Sequence, residues 1–153
     1  NDFKNSVDTD KIFLHRFKDG TTGTVNGQMI RFKNKNLCDF LLFKDGQLVL
    51  VELKSFLGKS MSFSNIKSTV DEQQTFLYNL RLEAKKKNVK AYMILNFRDL
   101  SETYAIDIHN FDEFYKITNK KSINIDEVRQ LGKQLFQQKK RTNYRYEISD
   151  LFN

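Results

Sequence analysis

The sequence predicts an α/β sandwich in which helices flank a central mixed β-sheet. Two observations lead to this fold class. Residues 38–54 have the pattern of an antiparallel hairpin, and a helical pattern at roughly 65–87 precedes two further strand patterns. Helices and strands that follow one another in this order pack as layers around one sheet. We expect a single domain over residues 1–153, because this length is enough for one substantial core.

The composition indicates a folded protein with an anionic partner. Hydrophobic residues make up 39% of the chain, and 14 Phe and 6 Tyr are present. Lys and Arg outnumber Asp and Glu by 26 to 19, which gives a net charge of +7. Such a surplus favours nucleic acid first and an acidic membrane second. No apolar run approaches the length of a membrane span. The single cysteine, Cys38, suits a reducing compartment, for which we expect the cytoplasm.

The first part of the chain predicts a short helix, a strand and a projecting ribbon. Residues 2–7 are read as the end of a helix and residues 11–17 as a strand. Residues 19–36 hold three of the six glycines, and Asn26-Gly27 is a tight-turn signal. This pattern predicts a flexible β-ribbon that carries basic side chains at Arg31, Lys33 and Lys35. The alternative is an ordinary surface loop.

The hairpin at residues 38–54 sets two carboxylates against each other. Asp45-Gly46 between two apolar runs is a strong hairpin signal. If these two residues form the turn, Asp39 lies opposite Glu52. Because side chains alternate between the faces of a strand, Glu52 and Lys54 share one face. Two opposed carboxylates at ~4 Å repel by about 4 kcal/mol at an effective dielectric of ~20. A sequence that keeps such a pair is expected to bind a cation there.

The helix predicted at roughly 65–87 carries one polar residue on its inward side. Its apolar positions have helical spacing and are Ile66, Val70, Leu77, Leu80 and Ala84. Gln73 falls on that stripe, either as a satisfied core amide or as a hydrogen-bonding group of an active site. Further along, residues 91–95 predict a buried strand and residues 103–109 a strand beside it. Short helices are expected at 112–117 and 125–137, followed by a basic tail.

The opposed acids favour magnesium-dependent phosphodiester chemistry. Mg²⁺ prefers hard oxygen ligands and keeps several waters. Asp39 and Glu52 supply two carboxylates, and the main-chain carbonyl of Leu53 is a candidate third ligand. Lys54 is placed to orient the attacking water or to stabilise the phosphate oxygens. The alternative is a simple salt bridge between Glu52 and Lys54 at a strand end, but such a bridge does not require a second acid at Asp39.

Other reactive side chains suggest no different chemistry. No Cys/His cluster has the spacing of a zinc site. No glycine-rich phosphate loop is present, which argues against an ATPase. His15 and His109 are expected to be structural. Cys38 is expected to be a small buried residue rather than a nucleophile, since no histidine is placed to activate it.

Taken in order, Cys38-Asp39, Glu52-Leu53-Lys54 and Gln73 resemble the motif of the PD-(D/E)xK nucleases. More narrowly, the chain resembles the RecU-type Holliday-junction resolvases of bacteria and phages. The likeness extends to four further segments: Ser62-Phe63, residues 89–115, Lys121-Ser122-Ile123 and Arg145-Tyr146. It therefore covers nearly the whole chain, although many nucleases share the Glu-x-Lys core.

The resemblance implies a restriction-endonuclease-like fold, a stalk formed by residues 19–36, and a homodimer that makes paired nicks in four-way DNA junctions during recombination and repair. Asp39 and Glu52 would bind Mg²⁺, for which Mn²⁺ could substitute, Lys54 would be catalytic, and Gln73 would complete the site. Basic residues would hold DNA phosphates: Arg31, Lys33, Lys35, Lys85, Lys86, Lys139 and Arg141.

Two departures from the family pattern concern the site rather than the fold. The family usually has a glutamate on its first helix, and we expect that acid to lie upstream of the sequence, since Asp2 is a poor substitute. Cys38 stands where a small hydroxylated residue is more typical. Two other functions therefore stay open: another PD-(D/E)xK nuclease, restriction-like or specific for single strands, and a DNA-binding module with a vestigial nuclease site.

Overall fold

The computed structural model describes residues 2–32 and 35–153. Its largest sheet is built from six strands: β1 (Phe13–Arg16), β4 (Phe40–Lys44), β5 (Gln47–Phe56), β7 (Val89–Phe97), β8 (Glu102–Asp107) and β10 (Lys133–Gln134). They lie in the order β1-β4-β5-β7-β8-β10. β5 and β7 pair in parallel, and the other neighbours pair antiparallel. The central mixed sheet predicted from the sequence is thereby confirmed.

Four α-helices, three short 3₁₀ helices and three small sheets make up the rest of the secondary structure in the described residues. The α-helices are α1 (Asp2–Ser6), α2 (Val70–Ala84), α3 (Ile108–Ile117) and α4 (Ile125–Leu131). The small sheets are β2 (Thr21–Val25) with β3 (Gln28–Phe32), β6 (Ser60–Ser62) with β9 (Ser122–Asn124), and β11 (Gln137–Lys140) with β12 (Asn143–Tyr146). The pair β2–β3 is the predicted ribbon. No helix in the described ranges is long and apolar enough to cross a membrane.

Both predicted tight turns adopt the backbone that their residues favour. Asp45 and Gly46 have φ values of 50° and 78°, and Asn26 and Gly27 have φ values of 51° and 76°. Two successive positive φ angles match the right-handed twist of a hairpin, and Asn, Asp and Gly tolerate them best. The turn pairs Lys44 with Gln47 and fixes the register of β4 on β5 as predicted.

The core has two layers, one on each face of the central sheet. On the first face, Leu50, Met93 and Leu95 pack against the buried side chains of α2 and α3. We call this the α2 face. On the second face, Val51 and Ile94 belong to a cluster with α1 and the C-terminal segment. We call this the α1 face. Since side chains alternate along β5, residues 52 and 54 lie on the α2 face, and residues 53 and 55 lie on the α1 face.

Helix α2 is shorter than the predicted span of 65–87. Residues 63–65 form a separate 3₁₀ turn, and the helix begins only at Val70. The Thr69 hydroxyl accepts a hydrogen bond of 3.2 Å from the backbone N–H of Glu72 and so caps the first turn. Val70 is 60% exposed and does not lie on the inward stripe as expected. The buried positions of α2 are Gln73, Phe76, Leu77 and Leu80.

Two further predicted boundaries are wrong for local reasons. Strand β8 ends at Asp107 rather than at His109, because the Asp107 carboxylate accepts a hydrogen bond of 2.8 Å from the His109 N–H and starts α3. Helix α4 ends at Leu131 rather than at residue 137. Gly132 follows it, and a Cβ atom at that position would lie 2.9 Å from the Ile106 side chain. The close approach turns the chain into β10 beside β8.

Candidate active site

Glu52 and Lys54 form a close ion pair on the α2 face of β5. Lys54 Nζ lies 2.7 Å from Glu52 Oε1. The Glu52 side chain is only 6% exposed, whereas that of Lys54 is 22% exposed. Both residues sit on the strand that pairs with β7, where Glu52 is the register partner of Met93. The strand at the centre of the sheet therefore supplies a fixed carboxylate with a cation beside it.

Asp39 lies near Glu52 at the point where the chain enters β4. Phe40 pairs with Val51, and the Asp39 N–H donates to the carbonyl of the same Val51 at 3.0 Å, so Asp39 is held against β5 next to Glu52. Asp39 Oδ2 accepts a hydrogen bond of 2.8 Å from the Leu53 N–H. This bond fixes the carboxylate beside β5. The two acids are close enough for the charge of Asp39 to act on the Glu52 carboxyl group, although the last register pair of the hairpin is Phe40 with Val51.

Leu53 presents its carbonyl to the same edge of β5 as Asp39. The N–H and C=O groups of one strand residue point to the same side, and the Leu53 N–H points to Asp39. Strand β4 begins at Phe40, so no further residue of β4 pairs with this part of β5. A backbone oxygen is thus available next to the two carboxylates.

Burial and charge act together on the Glu52 carboxyl group. Burial raises the pKa of Glu52, Lys54 counteracts this rise, and the neighbouring Asp39 raises the pKa further. The net direction is upward. A carboxylate that is poorly solvated and lies beside a second acid binds a cation more readily than an exposed one. The burial of Glu52 and the nearby charge of Asp39 thus favour a bound cation at this place.

Lys67 lies near the acidic site, which the sequence did not reveal. It precedes α2, is exposed, and its charge opposes the rise in the pKa of Glu52. Its Nζ lies 5.1 Å from the centroid of the Phe76 ring, within the range of a cation–π contact. No motif or spacing identifies Lys67, because its nearness to Glu52 depends on how the connection after β6 folds back over the sheet.

Gln73 is buried with both ends of its amide engaged. Its Nε2 donates to the Lys67 carbonyl at 2.9 Å, and its Oε1 accepts from the Tyr115 hydroxyl at 2.8 Å. These bonds match a satisfied core amide, the first of the two alternatives for this residue. They also connect the segment that carries Lys67 to α3. Gln73 therefore fixes the backbone at Lys67, and neither of these hydrogen bonds reaches Glu52 or Lys54.

The remaining reactive side chains of the sequence lie where a structural role explains them. Cys38 is 2% exposed, and its thiol donates to the Phe40 carbonyl at 3.2 Å. Burial is the main cause that raises the pKa of Cys38 to about 12. His15 stacks edge-on against Phe17, with ring centroids 4.8 Å apart. Asp2 accepts a hydrogen bond of 3.0 Å from the Tyr144 N–H and so serves β12, not the acidic pair.

The cations expected on the ribbon are described only in part. Lys33 lies outside the described residues, and Arg31 is described only by its backbone in β3. Lys35 is exposed. The ribbon also exposes apolar side chains, with Met29 83% exposed.

The other cations expected to bind DNA lie in two separate places. Lys85 and Lys86 follow α2 near the start of β7, where the Leu48 N–H donates to the Asn88 carbonyl. Glu52 lies four residues further along β5, a distance of about 13 Å at ~3.3 Å per residue. These lysines are therefore not part of the acidic site. Lys139 and Arg141 are exposed on the β11–β12 hairpin.

The acidic pair has the donor set that Mg²⁺ accepts in proteins. Mg²⁺ is usually held by one or two carboxylates together with waters and substrate phosphates. Within the described part of the chain, Asp39 Oδ1 and Glu52 Oε2 have no hydrogen-bond partner, and Glu52 Oε2 is not sealed from solvent. No group of three or more His, Cys, Asp or Glu side chains suited to a metal occurs there. The residues thus fit a magnesium ion that takes its other ligands from water and phosphate.

An α/β chain with a mixed sheet flanked by helices, and with acids and a lysine on its central hairpin, belongs to the restriction-endonuclease-like class of folds. Within that class, residues 18–149 match the Recombination protein U family, and the chain belongs to this family. It is also similar to the uncharacterised protein YotM, derived from the SPbeta prophage of Bacillus subtilis (strain 168). The identity is 30% over 154 residues, which cover 92% of this chain and 76% of that protein. Family membership indicates a nuclease that acts on DNA.

Proposed function

We propose that this chain is a Mg²⁺-dependent endonuclease that cleaves four-way DNA junctions in recombination and repair. The observation that carries the proposal is the placement of Asp39, Glu52 and Lys54 on one hairpin of a chain that belongs to the Recombination protein U family. The net charge of +7 supports a DNA substrate. Among PD-(D/E)xK nucleases in general, this family favours the branched substrate over a linear one.

Asp39, Glu52 and the Leu53 carbonyl would hold the metal. The Leu53 N–H orients Asp39 through a bond of 2.8 Å, so this carboxylate needs little rearrangement to bind. The Glu52 carboxylate has already lost most of its hydration in the folded chain, because its side chain is only 6% exposed. When bound, Mg²⁺ supplies a water of lowered pKa and neutralises charge on the phosphate.

Lys54 would act directly on the reacting phosphate. Its Nζ is held 2.7 Å from Glu52, so the ammonium is fixed beside the metal ligands and remains partly accessible. From there it can orient the attacking water and donate to a phosphate oxygen as charge develops. Lys67 would add a second positive charge near Glu52, and Gln73 fixes the backbone from which that side chain extends. The chain thus supplies two carboxylates for the metal and two lysines for the phosphate.

A homodimer would place two such sites on strands of opposite polarity. A four-way junction has approximate two-fold symmetry, and a two-fold dimer matches it with one site on each of two strands. Paired nicks follow from this symmetry. The β2–β3 ribbon would reach the junction as a stalk, and the exposed cations would contact phosphates without reading sequence.

Substrate selectivity tests the proposal directly. Cleavage rates are compared on a synthetic four-way junction, a linear duplex and splayed arms of matched sequence, with Mg²⁺ present. We expect the junction to be cut fastest, and equal rates on all three substrates would refute the assignment. Asp39→Asn should abolish cleavage. Asp45→Asn is the matched control, since it removes one charge from the same hairpin and Asn tolerates the positive φ of that turn.

A further inference from the structure

A row of polar side chains crosses the α1 face of the sheet beside the candidate active site. Ser55, Asn96 and Thr103 are register partners on β5, β7 and β8. The Ser55 hydroxyl donates to Asn96 Oδ1 at 2.8 Å, and Asn96 Nδ2 donates to Thr103 Oγ1 at 2.8 Å. Thr103 Oγ1 in turn donates to Gln137 Oε1 at 2.8 Å. Ser55 directly follows Lys54, so the row begins one residue from the active site on the opposite face.

This row lines a cleft of about 410 Å³, which also has apolar and aromatic walls. Leu53 and Ile94 contribute apolar surface, and Tyr144 and Tyr146 contribute aromatic rings. The volume lies within the range of ~300–1,000 Å³ that is typical of small-molecule sites. Apolar surface, aromatic rings and a polar edge together suit a flat heteroaromatic ring that carries hydrogen-bonding groups.

The β11–β12 hairpin aims two aromatic rings and an amide at the cleft. Tyr144 and Tyr146 are two residues apart on β12, so they share one face about 6.8 Å apart, twice the ~3.4 Å rise between stacked bases. Gln137 is the register partner of Tyr146 on β11. Its Oε1 is engaged by Thr103, and its Nε2 has no partner among the described residues. That nitrogen can donate to a base edge.

One cation lines the cleft, a second lies next to one of its lining residues, and a carboxylate is part of its wall. Lys139 is the register partner of Tyr144, and it is exposed on the same face of the hairpin. Arg98 is an exposed residue of the lining. Inside, Asp2 holds β12 through the Tyr144 N–H. An anion is therefore favoured at the rim and disfavoured within, as expected for a nucleotide whose base enters and whose phosphates stay outside.

We propose that this cleft binds one unstacked base of the DNA strand. The base lies between Tyr144 and Tyr146, Gln137 donates to its edge, and Lys139 and Arg98 contact the adjoining phosphates. The inference rests on the proposed function, because the strand concerned is the one that Asp39 and Glu52 would cleave. At a branch point bases leave the stack more easily than in continuous duplex, so such a site favours branched DNA.

Binding without cleavage tests the cleft. The full chain in EDTA is titrated against a labelled single-stranded dT 12-mer and against an abasic strand of the same length. Tyr144→Leu should weaken binding to the dT strand by about tenfold, the loss of one base–aromatic stack, whereas Tyr144→Phe should bind normally. Tyr78→Leu is the control, since Tyr78 is 61% exposed on α2.

The abasic strand separates base binding from phosphate binding. We expect Tyr144→Leu to leave its affinity for the abasic strand unchanged, because that strand offers no base to the cleft. Equal losses on both strands, or equal effects of Tyr144→Leu and Tyr78→Leu on the dT strand, would overturn the proposal. Free dTMP should compete only weakly, since Lys139 and Arg98 engage the phosphates of a continuous strand; competition equal to that of the 12-mer would overturn the assignment to DNA. None of these measurements needs cleavage, so failure of the junction assay would not decide them.

Discussion

Replacing Glu52 by Gln separates two effects of this carboxylate. One is the stability that it costs the metal-free protein, and the other is the affinity for Mg²⁺ that it provides. Burial raises the pKa of Glu52 above its ordinary value of 4.5, and Asp39 adds to the rise. The folded protein then binds this proton more tightly than the unfolded chain. The free energy of unfolding therefore falls as the pH rises from about 4.5 through the raised pKa. Without metal, we expect Glu52→Gln to gain stability relative to wild type across this interval.

Magnesium should reverse that order of stabilities. A ligand at a hundred times its dissociation constant stabilises the folded state by about 2.7 kcal/mol. For a chain of this size this amounts to an increase of roughly 5–10 °C in Tm. Wild type should show this increase. Glu52→Gln should show little of it, because a neutral amide is a weaker ligand for Mg²⁺ than a carboxylate.

Thermal unfolding followed by circular dichroism measures both effects. Tm is recorded for wild type and Glu52→Gln from pH 4 to pH 8, in EDTA and in excess Mg²⁺. Glu113→Gln is the matched control, since Glu113 is exposed on α3. An equal rise in the Tm of Glu52→Gln and of wild type on adding Mg²⁺ would show that Glu52 is not a metal ligand. A metal-free variant that loses stability relative to wild type as the pH rises would show that the buried Glu52 carboxylate is not destabilising.

Three further predictions concern single side chains. Without metal, Asp39→Asn should be at least as stable as wild type, because it keeps an acceptor for the Leu53 N–H and removes the charge that repels Glu52, whereas Asp39→Ala should be about 1–3 kcal/mol less stable than Asp39→Asn in urea denaturation; equal stabilities of the two variants would contradict the structural role of this carboxylate. Gln73→Ala should cost about 1–3 kcal/mol, since it leaves two polar groups unpaired. It should leave the Mg²⁺ affinity measured by calorimetry unchanged, and a lost affinity would make Gln73 a ligand. Burial raises the pKa of Asp112, but Lys116 and Arg81 outweigh it and hold the pKa below its ordinary value of 3.8. This carboxylate therefore stabilises the protein above pH ~4, and the stability is lost as the pH falls through the lowered pKa. Asp112→Asn should cost about 2–3 kcal/mol at pH 7 in urea denaturation, and a pH-independent cost would contradict the ion-pair explanation.

The parts of the site that the sequence predicted depend on local geometry. The Asp45-Gly46 turn sets the hairpin register by itself, and that register brings Asp39, the residue before Phe40, to the part of β5 that carries Glu52. Strand alternation then places Lys54 beside Glu52. Each step uses residues close together in the chain, so pattern and turn chemistry suffice. The ribbon turn at residues 26–27 was predictable for the same reason.

The parts that the sequence did not predict depend on contacts between distant segments. Lys67 approaches Glu52 only because the connection before α2 folds back, and the Gln73–Tyr115 bond joins α2 to α3. The end of α4 is set by the packing of Gly132 against β8. The helical pattern of the sequence does not indicate such contacts, because tertiary packing overrides helix propensity at helix ends.

The cleft on the α1 face shows the same limit more clearly. Its polar row joins β5, β7, β8 and β11, and each contributes one side chain that looks ordinary in sequence. These four side chains form a row only because of the order and register of the strands, which the sequence does not give.

The most direct test of the central claim is cleavage of a four-way junction with each of its four strands labelled in turn. With Mg²⁺ we expect nicks at symmetric positions in two opposite strands, and with EDTA we expect none. Lys54→Ala should retain junction binding and lose cleavage, with Lys59→Ala as the exposed control. Cleavage that persists in EDTA, or nicks scattered over all four strands, would contradict a metal-dependent resolvase built on Asp39, Glu52 and Lys54.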